Sequence, residues 1–264
     1  MTNIPNEPKN TDQTIAQTSA ITGLKWIAQS FSLFGKSPSI WIVMLLIYIA
    51  ISVLLTRIPF LVLLPTFLAP IFNAGFIYGA RALDKQQRLE IDHLFAGFKL
   101  QLRGLFRLGI LYFLINLLIV IFISMFFESI ADQEMVVMMT KATSTIELEQ
   151  ILVNNPELTG ALIKSLLFGV ILSVPLVMAG WFAPLLVLFH QLSPSRAMLL
   201  SIKACNKNML AFLIYGVLML PILLLAVMPF GLGLLIILPV IFISQYCSYK
   251  SIFNLESNQG VFIV

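Results

Sequence analysis

Charge is what this sequence lacks most. Asp, Glu, Lys and Arg make up 11% of its 264 residues, whereas soluble domains carry about a quarter. The few charges are clustered, which leaves long uncharged runs. Apolar residues reach 59% against about 45–50% in soluble domains, and mean hydropathy is +0.97. These values exclude a water-soluble globule and imply an all-α polytopic membrane protein, since a chain crossing lipid must satisfy its backbone within each segment.

Cysteine is nearly absent. Cys205 and Cys247 both fall toward the side expected to be cytoplasmic, so no disulfide is expected. His93 and His190 are the only histidines. They are distant in sequence and no span offers a carboxylate partner, so both read as boundary side chains rather than a catalytic or metal pair. No G-x-S-x-G, H-E-x-x-H or P-loop occurs, and no enzymatic activity, cofactor or metal is expected. Ionisable groups deep in spans are missing too, which argues against a proton-coupled transporter built on a buried carboxylate. The first twenty residues lack an apolar h-region, so 1–20 reads as a disordered cytoplasmic tail and not as a cleaved signal. The pI near 9.1 does not imply nucleic acid, because the basic residues sit at span ends.

The basic stretch 81–107 stands out against this background, with six of the sixteen Lys and Arg residues. Ile91, Leu94, Phe95, Phe98, Leu102, Leu105 and Phe106 draw one apolar stripe on a helix. Lys99, Arg103 and Arg107 recur every four residues on the opposite flank. Such a helix is expected to lie flat at a membrane surface with its cations toward anionic head groups. Two weaker counterparts flank it. Residues 21–36 set Leu24, Ile27, Phe31 and Phe34 against Lys25, Gln29, Ser32 and Lys36, with Trp26 and Trp41 suited to a partly wet interface. Residues 193–208 carry Arg196, Lys203 and Lys207, anchored by Met198, Leu199 and Ile202.

Six spans are expected, at about 40–55 (starting near Pro38), 60–80, 108–127, 165–190, 209–228 and a last one ending near 249. The membrane domain is then 21–250, with an extracytoplasmic insertion at 128–164 and a short cytoplasmic tail at 251–264. Within the insertion, Ser144 and Glu147 form a capping-box pattern before a short helix over 146–154, and Met135 to Met139 reads as an apolar outer boundary or a cap on the bundle. Thirteen of the sixteen basic residues fall on one side of this arrangement, so the positive-inside rule makes both termini cytoplasmic. The three interfacial stretches each lead into a span and its return. The chain therefore divides into three units, about 21–80, 91–191 and 195–250, set against the simpler account that any multi-span protein is basic at its cytoplasmic span starts.

Asn73, Asn116 and Gln245 are the polar side chains inside spans, expected to hydrogen-bond between helices. Gly75 and Gly79 suggest close packing within the bundle.

The pattern W-x4-F-x2-F-x3-P-x2-W from Trp26 to Trp41, LLPTFLAPIFNAG from Leu63 and HLFAGF from His93 resembles an uncharacterised family of bacterial six-span inner-membrane proteins. It is more loosely similar to the membrane domain fused to some glycerophosphodiester phosphodiesterases. The resemblance implies a topology and an inner-membrane location. It carries no catalytic residue, since no phosphodiesterase domain is present. Two functional readings follow. One is a non-enzymatic protein that organises membrane lipids or a membrane-protein partner, with Lys99, Arg103, Arg107, Arg196 and Lys203 on lipid head groups. The other is a transporter or channel for a small or amphipathic molecule, with a path near Asn73, Asn116 or Gln245.

Overall fold

The computed structural model describes residues 15–132, 134, 136–137 and 144–253. The tail residues 1–14 and 254–264, Lys141, and Met135, Met138 and Met139 of the expected outer boundary lie outside them. The described residues hold helices and no strand: α1 (Thr22–Gly35), α2 (Pro38–Thr56), α3 (Leu64–Asp84), α4 (Ala96–Ile130), α5 (Thr145–Asn154), α6 (Pro156–His190), α7 (Pro194–Lys207), α8 (Met209–Val227) and α9 (Leu234–Ile252). One-turn 3₁₀ pieces at Pro59–Leu61 and Ile91–Phe95 join the longer elements.

Local chemistry explains the boundaries. Proline lies in the first turn of α2, α3 and α7, where its missing N–H has no intrahelical partner to lose. Ser144 caps α5 by accepting the Glu147 N–H at 3.2 Å, half of the expected capping box. α3 ends in a Schellman motif. The Gln87 N–H donates to Ala82 O at 2.9 Å and the Gln86 N–H to Leu83 O at 3.2 Å. Gln86, at φ 63°, holds the left-handed position where glycine is usual.

Among the described residues, five helical segments are long and apolar enough to cross a membrane: Pro38–Thr56, Ile91–Ile130, Pro156–His190, Met209–Val227 and Leu234–Ile252. α3, the remaining long helix, has 21 residues but carries Pro70 in its interior and Asn73, and eleven of its residues are buried.

The chain forms two compact units. One comprises residues up to 111 and from 178 onward, the other 112–177. In the larger unit α1 packs on α9 and α8, and α3 packs on α9, α2 and the 91–95 turn. Phe76 stacks on Trp41 (centroids 6.3 Å) and on Phe242 (4.5 Å), while Phe212 meets Trp26, Trp181 and Phe182. The Ser201 hydroxyl of α7 is inserted into α6. It accepts the Phe182 N–H at 3.0 Å and donates to Met178 O at 2.5 Å, the two groups a regular α-helix would join directly. In the smaller unit Phe126 stacks on Phe168 at 4.5 Å, and Leu118, Phe122, Leu166 and Ile171 are exposed, as expected of a lipid-facing surface.

Several expectations need correction. Residues 81–107 are not one helix lying on a surface: Arg81 to Asp84 finish α3, a turn follows, and α4 is broken at Gln101 (φ −146°, ψ 42°). The break separates Lys99 from Arg103 and Arg107, so the three do not share one helical flank. Within the supposed stripe, Leu94 and Leu105 are buried but Ile91 and Leu102 are exposed. α1 buries Trp26, Ile27, Ser30, Leu33 and Phe34, while Leu24 and Phe31 point outward. Trp26 and Trp41 are wholly buried and are not interfacial rings. The α7 anchor is likewise rotated, with Ala197, Met198, Ser201 and Ala204 buried and Leu199 exposed. Small residues let α7 sit close to its neighbours, which hydropathy alone does not signal. Residues 15–20 of the expected free tail are tied down: Ala16 N–H donates to Ile252 O at 2.7 Å, Thr18 N–H to Asn208 Oδ1 at 2.7 Å, and Lys207 Nζ to Ile15 O at 2.7 Å.

Candidate functional site

The five cations expected to meet head groups lie on two elements of the larger unit. Lys99 forms an exposed ion pair with Asp92, Nζ to Oδ1 at 2.7 Å. Arg103 and Arg107 follow on α4 past the break and are exposed. Arg196 and Lys203 are exposed on α7, off its buried face.

The three polar span residues are not brought together as one site. Asn116 is exposed in the smaller unit. Asn73 and Gln245 lie on α3 and α9, and buried Asn73 Oδ1 and Gln245 Oε1 accept no hydrogen bond. The expected bond between helices is therefore missing at both oxygens. Gly75 and Gly79 serve packing inside the chain. A Cβ at 75 would lie 2.1 Å from Leu94 O, and one at 79 would lie 2.7 Å from Leu89 Cδ1.

The histidines have separate surroundings. His93 Nδ1 accepts the Glu90 N–H at 3.2 Å and its ring meets Tyr78 edge-on at 5.4 Å. His190 Nε2 is 2.5 Å from Tyr249 Oη. Among the described residues no group of three or more His, Cys, Asp or Glu side chains could hold a metal. Both cysteines are free and buried. Burial pushes the Cys205 thiol up to about 12, partly offset by a hydrogen bond with Ser201, so it is a poor nucleophile.

What the sequence reading missed is a polar cluster where α3 ends beside α9. Asp84 accepts from Tyr246 Oη at 2.9 Å and pairs with Lys250 Nζ at 3.1 Å. The Arg81 guanidinium lies over the Phe189 ring, 4.5 Å from its centroid, a cation–π contact. Tyr78, Arg81, Ala82, Lys85 and Gln87 line a half-open cavity of about 190 Å³. The signal for it was present only as charge: Arg81, Asp84 and Lys85 are close in sequence, but nothing there shows which way each points.

Architecture and surface thus define a multi-pass, all-helical membrane protein. Over 210 residues, 77% of this chain and 74% of the relative, it is 26% identical to a probable inner membrane protein of Burkholderia thailandensis. No family model matches the chain, and no solved structure does.

Proposed function

We propose that this chain is a six-span inner-membrane protein, both ends cytoplasmic, that organises anionic lipids or a partner protein and catalyses no reaction. The observation that carries this reading is the aromatic packing inside the larger unit, where Trp41, Phe76 and Phe242 stack in series. An open path would need that space. The inner-membrane location is supported by the Burkholderia relative.

α3 supplies the sixth crossing. Its 21 residues meet the roughly 20 that a bilayer requires. Its proline and asparagine are tolerable because neighbouring helices, not lipid, surround it. The repeat is supported by matching lengths: α1 and α7 have 14 residues each, and α2 and α8 have 19 each. In both cases a further long helix follows. The looser likeness to the phosphodiesterase-associated membrane domain rests on the sequence motifs alone.

The test of the lipid role is a full-length variant with Lys99, Arg103 and Arg107 changed to Gln. Copurified anionic lipid should fall, by about 1 kcal/mol of binding per cation at the surface. Unchanged anionic-lipid content overturns that role. A reporter fused near residue 145 should behave as extracytoplasmic, and cytoplasmic behaviour overturns the orientation.

A second reading, transport of a small polar molecule, is favoured by one observation: the unpartnered buried oxygens of Asn73 and Gln245, costly to leave unmade. Solute flux through proteoliposomes that disappears in Gln245→Leu would select it.

A further inference from the structure

We propose that the cavity at the end of α3 is a binding site for a phosphate group, held by Arg81 and Lys85. It deepens the lipid reading and rests on the membrane placement proposed above, but not on Lys99, Arg103 or Arg107. Four observations support it.

The first is unbalanced charge. Asp84, the acid between these two cations in sequence, is already occupied by Lys250 at 3.1 Å and Tyr246 at 2.9 Å. Among the described residues Arg81 and Lys85 have no carboxylate within ion-pair distance. The carboxyl end of α3 adds only about half a negative charge, and its last carbonyls are engaged by the Schellman bonds of Gln86 and Gln87. Positive charge therefore dominates the cavity.

The second is orientation. The face of Phe189 lies 4.5 Å from the Arg81 guanidinium carbon. This contact holds the planar group without neutralising it and leaves its edge N–H donors for an acceptor. A guanidinium presents paired donors that match two phosphate oxygens.

The third is room. The pocket, about 190 Å³ and half open to its surroundings, has room for a group much larger than a water. Tyr78 and Gln87 add side chains able to donate to a phosphate ester.

The fourth is the turn that closes the wall. Gln86 is held at φ 63°, a conformation that disfavours side-chain-bearing residues. It lies between Lys85 and Gln87, two of the lining residues, and strained backbone of this kind concentrates at ligand sites.

The ligand chemistry is a phosphate ester or phosphate, supplied either by an anionic lipid head group or by a soluble phosphate. The test uses the purified full-length protein in detergent. Phosphatidylglycerol, phosphatidylcholine and inorganic phosphate are the probes, and native mass spectrometry reads retention. Wild type should retain phosphatidylglycerol over phosphatidylcholine. Arg81→Gln and Lys85→Gln should each weaken that retention roughly fivefold, the factor that ~1 kcal/mol per cation corresponds to. Arg81→Lys should keep most of it, Lys25→Gln on the exposed side of α1 should match wild type, and a double Arg103→Gln, Arg107→Gln variant separates the surface reading from this one. Displacement of the lipid by millimolar inorganic phosphate supports the site with a soluble source. Retention unmoved by phosphate supports it with a lipid source.

Wild-type retention in both Arg81→Gln and Lys85→Gln overturns the proposal, as does wild type that binds neither phosphatidylglycerol nor phosphate. If the Arg103, Arg107 double variant loses lipid while the cavity variants keep it, the surface reading stands and the cavity site falls. The converse removes the surface residues and leaves the cavity site. If Arg81→Lys fails as badly as Arg81→Gln while Lys85→Gln is silent, Arg81 acts only through Phe189 and the site is overturned.

Discussion

Gly75→Ala offers the sharpest test of how the larger unit is held together. α3 meets the segment 91–97 backbone to backbone. A Cβ at residue 75 would lie 2.1 Å from Leu94 O, 2.6 Å from Leu94 C and 2.9 Å from Leu94 Cα. Gly97 makes the reciprocal approach, its added Cβ falling 2.4 Å from Ile71 O. Ordinary contact begins at 3.4 Å, so one methyl group must part the two segments by about an ångström. No flexible side chain can move aside, because every near atom at residue 75 is backbone. Overpacking of this kind costs about 1–3 kcal/mol and sometimes more, and a purely backbone clash belongs at the upper end. Alanine regains up to ~1 kcal/mol in helix propensity. The net expectation is destabilisation of about 2 kcal/mol. Gly35→Ala is the control, since nothing lies within 4 Å of a Cβ there. It should be neutral or stabilising by up to ~1 kcal/mol. Reversible denaturation in mixed detergent micelles, followed by tryptophan fluorescence, measures both, because Trp26 and Trp41 are wholly buried in the same unit. A Gly75→Ala protein as stable as wild type, or more so, would refute the close-approach argument.

Three further perturbations test other parts of the structure. Gln86→Gly should stabilise by up to about 1 kcal/mol, by removing the penalty of a left-handed non-glycine residue; a loss of stability would show that the Gln86 side chain makes a needed contact. Ser201→Ala should cost about 1–3 kcal/mol by leaving the Phe182 N–H and Met178 C=O without the hydroxyl that bridges them, and an unchanged unfolding midpoint would mean the two groups re-form their own bond. Cys205, raised from 9.0 to about 12, should resist maleimide at pH 8 in the folded protein and react after denaturation. Because the folded state disfavours the thiolate, this group's contribution is intact below about pH 9 and is lost as pH rises toward 12; rapid labelling of Cys205 in the native protein at pH 8 would contradict its burial.

Legibility varied with the kind of signal. Pro38 and Ser144 marked helix starts within a residue or two, because capping and proline preference act on the nearest turn. The run from Met209 to Val227 announced its own length. By contrast, Lys99, Arg103 and Arg107 recur at a helical period, yet the break at Gln101 makes that period meaningless for the three as a set. Asn73 and Gln245 stood out in the sequence as polar groups within expected spans, but nothing there showed that their oxygens would lack donors. The cavity at Arg81 and Lys85 was invisible, since it depends on Asp84 turning toward α9 and Arg81 toward Phe189.

The sequence by itself determined that the chain is helical and repeatedly membrane-compatible, and where most helices begin and end. Those properties follow from uninterrupted apolar length and from residues acting on their neighbours. Only the tertiary structure decided which face of each helix is buried. Lipid is as apolar as a helix interface, so hydropathy does not separate the two. What does separate them is fit: glycine at 75 and 97, serine at 201, and tryptophan at 26 and 41 in sites that no periodicity marks.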